Sequence, residues 1–408
     1  MADADIAYPA LDQVIRGIRG HAQHLDIGFV LEMESPAAGA GAVLDHLRRR
    51  LPLLPPLAGC ADHLADHVRE LAVPGCRSGA WTRAYDALVN LPAHCARGPW
   101  DLWVVPGEDG DGHLLAYRAH HALHDGGSMM RLARRLFSAA EPDPPAPTPA
   151  PRAEPPAAHP RVADRVRSAA ASTSLLARAP RQPLLPGALD GRRVLTAAVV
   201  PSARLRTASR ALECSVLDLH VAALSRVAEE SDPTGWTKER NPARGIGLPV
   251  SVHRSGDPVP YTGNRFAVVH PVDIPWDTDD LGDRARIIAG RTARLRDPNI
   301  RWELGQSMKR LDAPRLLRRV ARAFAHSGMQ STVLLLSGDL GFAGHRASRF
   351  TSLNCLPAPF PQQSALTLWG EQAVCSFTAD TALPAAEKLA DLWLRAVDVL
   401  APAEGAAT

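Results

Sequence analysis

Residues 114–137 read LLAYRAHHALHDGGSMMRLARRLF. The segment 112–123 is strand-like with a loop at its end, and 127–140 carries helix formers at apolar spacing. In a strand, side chains alternate faces, so Leu115, Tyr117, Ala119 and His121 share one face, while Leu114, Ala116, Arg118 and His120 share the other. The adjacent histidines His120 and His121 are therefore expected to do different jobs. One points into a cleft, and the other into packing or backbone contacts. Asp125-Gly126-Gly127 then makes a sharp turn, because glycine supplies φ values that other residues resist. Asp125 either accepts hydrogen bonds from the free N–H groups of the following helix, as an N-cap does, or pairs with a buried arginine. Either role fixes the aim of His121. A histidine held this way suits general base catalysis, since its unperturbed pKa of roughly 6.5 leaves a proton-accepting form at neutral pH.

Working outward, strands are expected at 26–34, 194–200, 246–253, 265–274 and 332–337, with a hairpin over 365–369 and 373–378. Helices are expected at 42–51, 202–212, 215–230, 280–296, 314–326 and 384–400. Mixed elements on both sides of a break predict an α/β (α+β) chain in two halves. The break is 141–160, EPDPPAPTPAPRAEPPAAHP, where proline removes backbone donors and excludes helix and central strand. The domains are thus expected at 1–140 (an N-terminal lobe with the histidine pair), 141–190 (a proline-rich linker with a bridging helix near 161–179) and 191–408 (a C-terminal lobe).

Composition narrows the classes. The 408 residues are 46% hydrophobic and 22% charged, a balance that excludes disordered or disulfide-stapled chains. The net charge of +3 is too small to argue for a nucleic-acid partner. Lys238, Lys309 and Lys388 are the only lysines, so arginine dominates the basic residues. The six cysteines (Cys60, Cys76, Cys95, Cys214, Cys355 and Cys375) form no CxxC pair and read as reduced core thiols. The N-terminal residues show no apolar signal-peptide core, and no apolar run approaches the ~20 residues of a membrane span. A cytoplasmic location is expected, with peripheral membrane contact left open.

His120, His121 and His124 invite a metal reading, but two helical ligands on one face, as in HExxH, are not supplied by a strand. No metal is expected. No GxSxG nucleophile elbow occurs either, so direct transfer without a covalent enzyme intermediate is the simpler scheme.

The segment His120-His121-Ala122-Leu123-His124-Asp125-Gly126 resembles the HHxxxDG motif of the CoA-dependent acyltransferase and condensation-domain superfamily. It is closest to the bacterial wax ester synthase/diacylglycerol acyltransferase branch. Gly98-Pro99-Trp100-Asp101-Leu102-Trp103 is similar to that branch's PLWExW segment. Ser215-Val216-Leu217-Asp218 is similar to its TxND helix, with Leu217 where the family has Asn. Residues 248–252 followed by Gly263-Asn264-Arg265 resemble its VPVSV and GN pair, and Ser337-Gly338-Asp339-Leu340-Gly341 resembles the SNLG segment.

The resemblance implies two chloramphenicol-acetyltransferase-like lobes forming a pseudo-dimer around a central channel. It implies His121 as catalytic base, with His120 beside it and Asp125 and Gly126 shaping the turn. Asn264, Arg265, Asp218 and Ser337 become candidate substrate contacts. Asn264 with Arg265 is otherwise an ordinary turn, and Asp218 an ordinary helical acid. The implied activity is acyl transfer from a CoA or carrier-protein thioester to a small-molecule alcohol or amine. The setting is specialised metabolism or lipid synthesis, and the acyl donor is a substrate, with no cofactor. Two other readings remain: a non-catalytic condensation-like recruitment module, and a cyclase or dehydratase acting on a tethered intermediate.

Overall fold

A computed structural model describes residues 25–51, 54, 57, 60–92, 98–108, 110–139, 189–231, 245–251, 266–297, 301, 329–356 and 360–402. The expected linker and bridging helix, the helix at 314–326, and Asn264 and Arg265 lie outside the described residues.

The first lobe is built on β1 (Asp26–Met33), β2 (Val68–Glu70), β3 (Trp100–Pro106) and β4 (His113–His120). Three helices accompany them: α1 (Ala40–Arg50), α2 (Thr82–Asn90) and α3 (Gly126–Phe137). The second lobe contains β5 (Arg193–Pro201), α4 (Ser202–Ala211), α5 (Val216–Ser231), β6 (Gly245–Ser251), β7 (Phe266–Asp273), α6 (Leu281–Thr292) and β8 (Gln330–Leu336). The chain ends with β9 (Gly341–Phe342), β10 (His345–Leu353), β11 (Gln362–Trp369), β12 (Gln372–Asp380) and α7 (Leu389–Leu400).

The strands form two six-stranded sheets, in the orders β2-β3-β4-β1-β10-β9 and β5-β12-β11-β8-β6-β7. The architecture is the mixed, two-lobed α/β fold expected from the sequence. Chain order and sheet membership part company at one place. The segment carrying β9 and β10 comes late in the chain yet completes the first sheet, with β10 antiparallel to β1. The two halves are therefore joined by strands that the later half lends to the first sheet as well as by packing.

Each sheet alternates its faces as period-2 geometry requires. In the first, Ile27, Phe29 and Leu31 of β1 join Tyr117 and Ala119 of β4 in a core that also takes the buried face of α3. The opposite face carries Val30, Ala116 and Trp103 and packs on α2 and on Leu195 of β5. Gly28 is needed where β1 crosses β4, since a Cβ there would lie 1.9 Å from the Tyr117 carbonyl oxygen. In the second lobe, α5 is buried along most of its length between α6, α7 and the sheet. Helix α7 presents Leu389, Leu392, Trp393, Ala396, Val397 and Leu400 inward, the i, i+3, i+4 pattern of a core-facing helix. Removing the wholly buried Trp393 side chain would cost about 3–5 kcal/mol.

Candidate active site

Strand β4 ends at His120, whose backbone pairs with Asp26 at the start of β1. His121 therefore lies in the turn over 121–123 and not in the strand, as the face-alternation pattern had placed it. The reason is local. The His121 N–H still reaches the Leu25 carbonyl (2.8 Å), but Leu123 N–H turns back to the His120 carbonyl (2.8 Å). The Ala122 N–H donates to His120 Nδ1 (3.1 Å). That bond puts a lone pair on His120 Nδ1. The two histidines have different surroundings. His120 is folded onto its own turn. His121 is half-buried, with its Nδ1 shielded from solvent, so the accessible part of the residue lies away from Nδ1.

His124 points inward and is wholly buried. Its Nε2 sits 2.8 Å from the hydroxyl of Tyr117, whose phenol burial pushes far above its ordinary pKa and so keeps protonated. It is a core histidine packed against Tyr117. Among the described residues, no group of three or more His, Cys, Asp or Glu could hold a metal ion.

Asp125 caps α3. Its Oδ1 accepts from the Ser128 N–H (2.7 Å), while the Asp125 N–H donates to Ser128 Oγ (2.9 Å), a reciprocal capping box. Of the two roles open to Asp125 in the sequence, the N-cap is thus present. The buried arginine nearest in sequence, Arg118, has other ties. Its Nε and Nη2 meet Asp101 Oδ1 and Oδ2 at 2.9 and 2.5 Å. Nη1 donates to the carbonyls of Leu88 and Leu91, and Nη2 to that of Pro92. Asp26 lies 4.0 Å away. Arg118 is two residues before His120 on the same sheet face, so this network backs the strand end from which the histidine turn departs. Sequence reasoning did not single out Arg118, Asp101 or Asp26. The available signal was an arginine inside an otherwise apolar strand, opposite the aspartate of the Trp-Asp-Leu-Trp segment.

Gly126 marks the junction of the lobes. A Cβ there would lie 2.7 Å from Cδ2 of Leu334 on β8. Farther along α3, Arg134 Nη1 donates to Ser337 Oγ (3.2 Å), and Ser138 forms a β-bridge with Leu340. Helix α3 therefore runs alongside β8, and the turn bearing His120 and His121 opens at the seam. Ser337 is exposed and tethers α3. Asp218 is wholly buried in the second lobe. It caps α5 through Ser215 (N–H 2.8 Å, Oγ 2.6 Å) and ties the end of α6 through Thr292 Oγ1 (2.5 Å) and the turn after it through Arg296 Nη2 (2.9 Å). All these partners belong to the second lobe, and none comes from the histidine turn.

A buried polar cluster around His220 was not visible in the sequence. His220 Nδ1 accepts from Trp393 Nε1–H (3.0 Å) and its Nε2 lies 2.8 Å from Ser331 Oγ. Burial pushes the His220 pKa down to about 3, so the ring is neutral. With Nδ1 accepting, its proton sits on Nε2 and is donated to Ser331. That tautomer cannot deprotonate the serine, and the cluster is a structural polar knot rather than a nucleophilic pair.

Residues 61–177 match the family model described as wax ester synthase/diacylglycerol acyltransferase catalytic domain. Solved structures share the whole fold. The wax ester synthase/diacylglycerol acyltransferase from Marinobacter aquaeolei VT8 superposes with a TM-score of 0.64, covering 97% of this chain and 98% of its own at 15% identity. The first condensation domain of the calcium-dependent antibiotic synthetase, in complex with a substrate analogue, gives 0.64 over 97% and 96% at 16% identity. A mutant starter condensation domain of rhizomide synthetase, in complex with C8-CoA and Leu-SNAC, gives 0.61 over 96% and 91% at 14% identity. No curated protein sequence matches the chain. At these identities the superpositions establish the fold, and the family-model match covers the segment that contains the histidine turn.

Proposed function

We propose acyl transfer from a CoA or carrier-bound thioester to an alcohol or amine, a reading supported by the match of residues 61–177 to the wax ester synthase/diacylglycerol acyltransferase catalytic domain model and by the two-lobed fold shared with that enzyme and with condensation domains. His121 is the general base. Its Nε2 takes the acceptor's proton as the acceptor oxygen or nitrogen bonds to the thioester carbonyl carbon. The C–S bond then breaks, and the departing thiolate takes the proton back from the imidazolium. The products are an ester or amide and a free thiol, with no covalent enzyme intermediate.

The observation that carries this is the position of the turn. His120 and His121 are half-buried where α3 meets β8, held by the Leu25 carbonyl on one side and by the Asp125–Ser128 capping box on the other. A base fixed by backbone and cap loses little orientational freedom when it acts. The rhizomide domain's complex with an acyl-CoA and an aminoacyl thioester supports thioester donors for this chain as well. Among the described residues no helix is long and apolar enough to cross a membrane. An acceptor delivered from solution or from a membrane surface fits equally.

The test is to incubate the protein with acyl-CoAs of graded chain length and a mixed pool of alcohols and amines. Free thiol is followed by absorbance and products by mass spectrometry. Acceptor-dependent thiol release, with an ester or amide of matching mass, is the expected result. Thiol release that is independent of every acceptor would mean hydrolysis in place of transfer, and no release at all would favour the recruitment-module reading.

A further inference from the structure

Around the seam between the lobes, most side chains are buried. The half-buried ones include His120, His121 and Gly126 on the motif turn, and Gln330, Thr332 and Gln363 on β8 and β11. These strands run parallel with Gln363 opposite Gln330. Behind them is Cys355, which packs in one apolar cluster with Leu123 of the motif turn and Leu334 of β8. Burial pushes the Cys355 pKa up to about 12, so the residue is a thiol and donates.

The direction of the amides follows. Cys355 Sγ–H points to Gln363 Oε1 (3.6 Å), which fixes the Gln363 oxygen on that side. Its Nε2 therefore donates to Gln330 Oε1 (3.2 Å). The Gln330 oxygen is thus taken, and its NH2 group is left with two donor hydrogens and no partner among the described residues. An oriented, half-buried amide NH2 with its own oxygen already engaged is a donor set for a neutral acceptor oxygen. Gln330 is four residues along β8 from Leu334, the side chain under Gly126, or about 13 Å of strand. It therefore addresses a part of the substrate set back from the reacting carbonyl.

Resting on the acyl-transfer reading, we propose that Gln330 is a donor-binding residue whose side-chain NH2 donates to an amide carbonyl of the pantetheine arm, the element shared by CoA and carrier-bound donors. Gln363 and Cys355 are positioning residues that hold it.

The experiment compares wild type, Gln330→Leu and Gln330→Glu, all checked for unchanged melting temperature. Octanoyl-CoA, octanoyl-pantetheine and an octanoyl carrier protein serve as donors. Losing one hydrogen bond predicts a three- to tenfold rise in the donor KM for all three, roughly what 0.5–1.5 kcal/mol implies. The acceptor KM and kcat stay within twofold. Gln363→Leu shifts the donor KM in the same direction by less. A rise confined to octanoyl-CoA places the contact on the nucleotide, and a rise confined to the carrier places it on the carrier surface. A rise in the acceptor KM places it on the other substrate. Each of these, or a change under twofold throughout, overturns the assignment while leaving acyl transfer standing. A wild-type protein that releases no thiol from any of the three donors overturns the acyl-transfer reading itself, and the assignment with it.

Discussion

Replacing Arg118 by methionine keeps most of the side-chain volume and removes one charge. Three backbone carbonyls and the Asp101 carboxylate lose the donors that Arg118 supplies, and Asp26 loses a cation 4.0 Å away. All three charged side chains are almost fully buried, at 3%, 4% and 6% exposure, so solvent cannot take over. Breaking a buried pair by removing one partner costs about 3–5 kcal/mol, because the surviving charge stays uncompensated. The additional orphaned carbonyls argue for the upper half of that range. Removing both charges tells a different story, since an apolar replacement of a buried pair is often neutral. Arg118→Met with Asp101→Leu is therefore expected to recover at least 2 kcal/mol of the single-variant loss. The assay is a double-mutant cycle by urea denaturation, read at constant m-value. A single-variant cost below about 1 kcal/mol, or strictly additive variants, would refute the view that this network props the end of β4.

Two further outcomes follow from the same structure. Asp125→Ala removes the cap of α3 and should cost about 0.5–2 kcal/mol, whereas Asp125→Asn keeps an acceptor oxygen for the Ser128 N–H and should recover most of it in thermal melts. His220 stays neutral in the folded chain down to about pH 3, while the unfolded ring protonates below about 6.5. Its contribution is fully present above about pH 6.5 and falls through the window from 6.5 to 3 by up to ~1.4 kcal/mol per pH unit, so denaturant melts of His220→Gln should show a flatter acid slope than wild type.

How much of this was legible in the sequence depends on range along the chain. The strand–turn–helix around His120 and Asp125 was legible because its parts are adjacent, with apolar periodicity on either side of a glycine turn. The 365–378 hairpin was legible for the same reason. Strand β10, HRASRFTSL, was not. Its buried Thr351 and Ser352 are satisfied by Tyr85 and Thr367, so polar residues occupy positions that periodicity reserves for apolar ones. Helix α2 is short and sits among loops. At the site, the N-cap was readable as one of two roles for Asp125, while the reciprocal bond to Ser128 was not. Arg118 with Asp101, Gly126 against Leu334, and Cys355 with Gln363 and Gln330 join residues far apart in the chain, and no local pattern announces such pairs. Asp218 shows the converse. Its motif-like setting drew it toward substrate, while full burial gives it to Ser215, Thr292 and Arg296.

The measurement that bears most directly on acyl transfer by a histidine base is the rate of acceptor-dependent thiol release by wild type and by His121→Ala, with melting temperatures matched. General base catalysis is typically worth roughly 10²–10⁴-fold, so a loss of that size in kcat is expected for His121→Ala. A variant that retains turnover within about tenfold of wild type would contradict it.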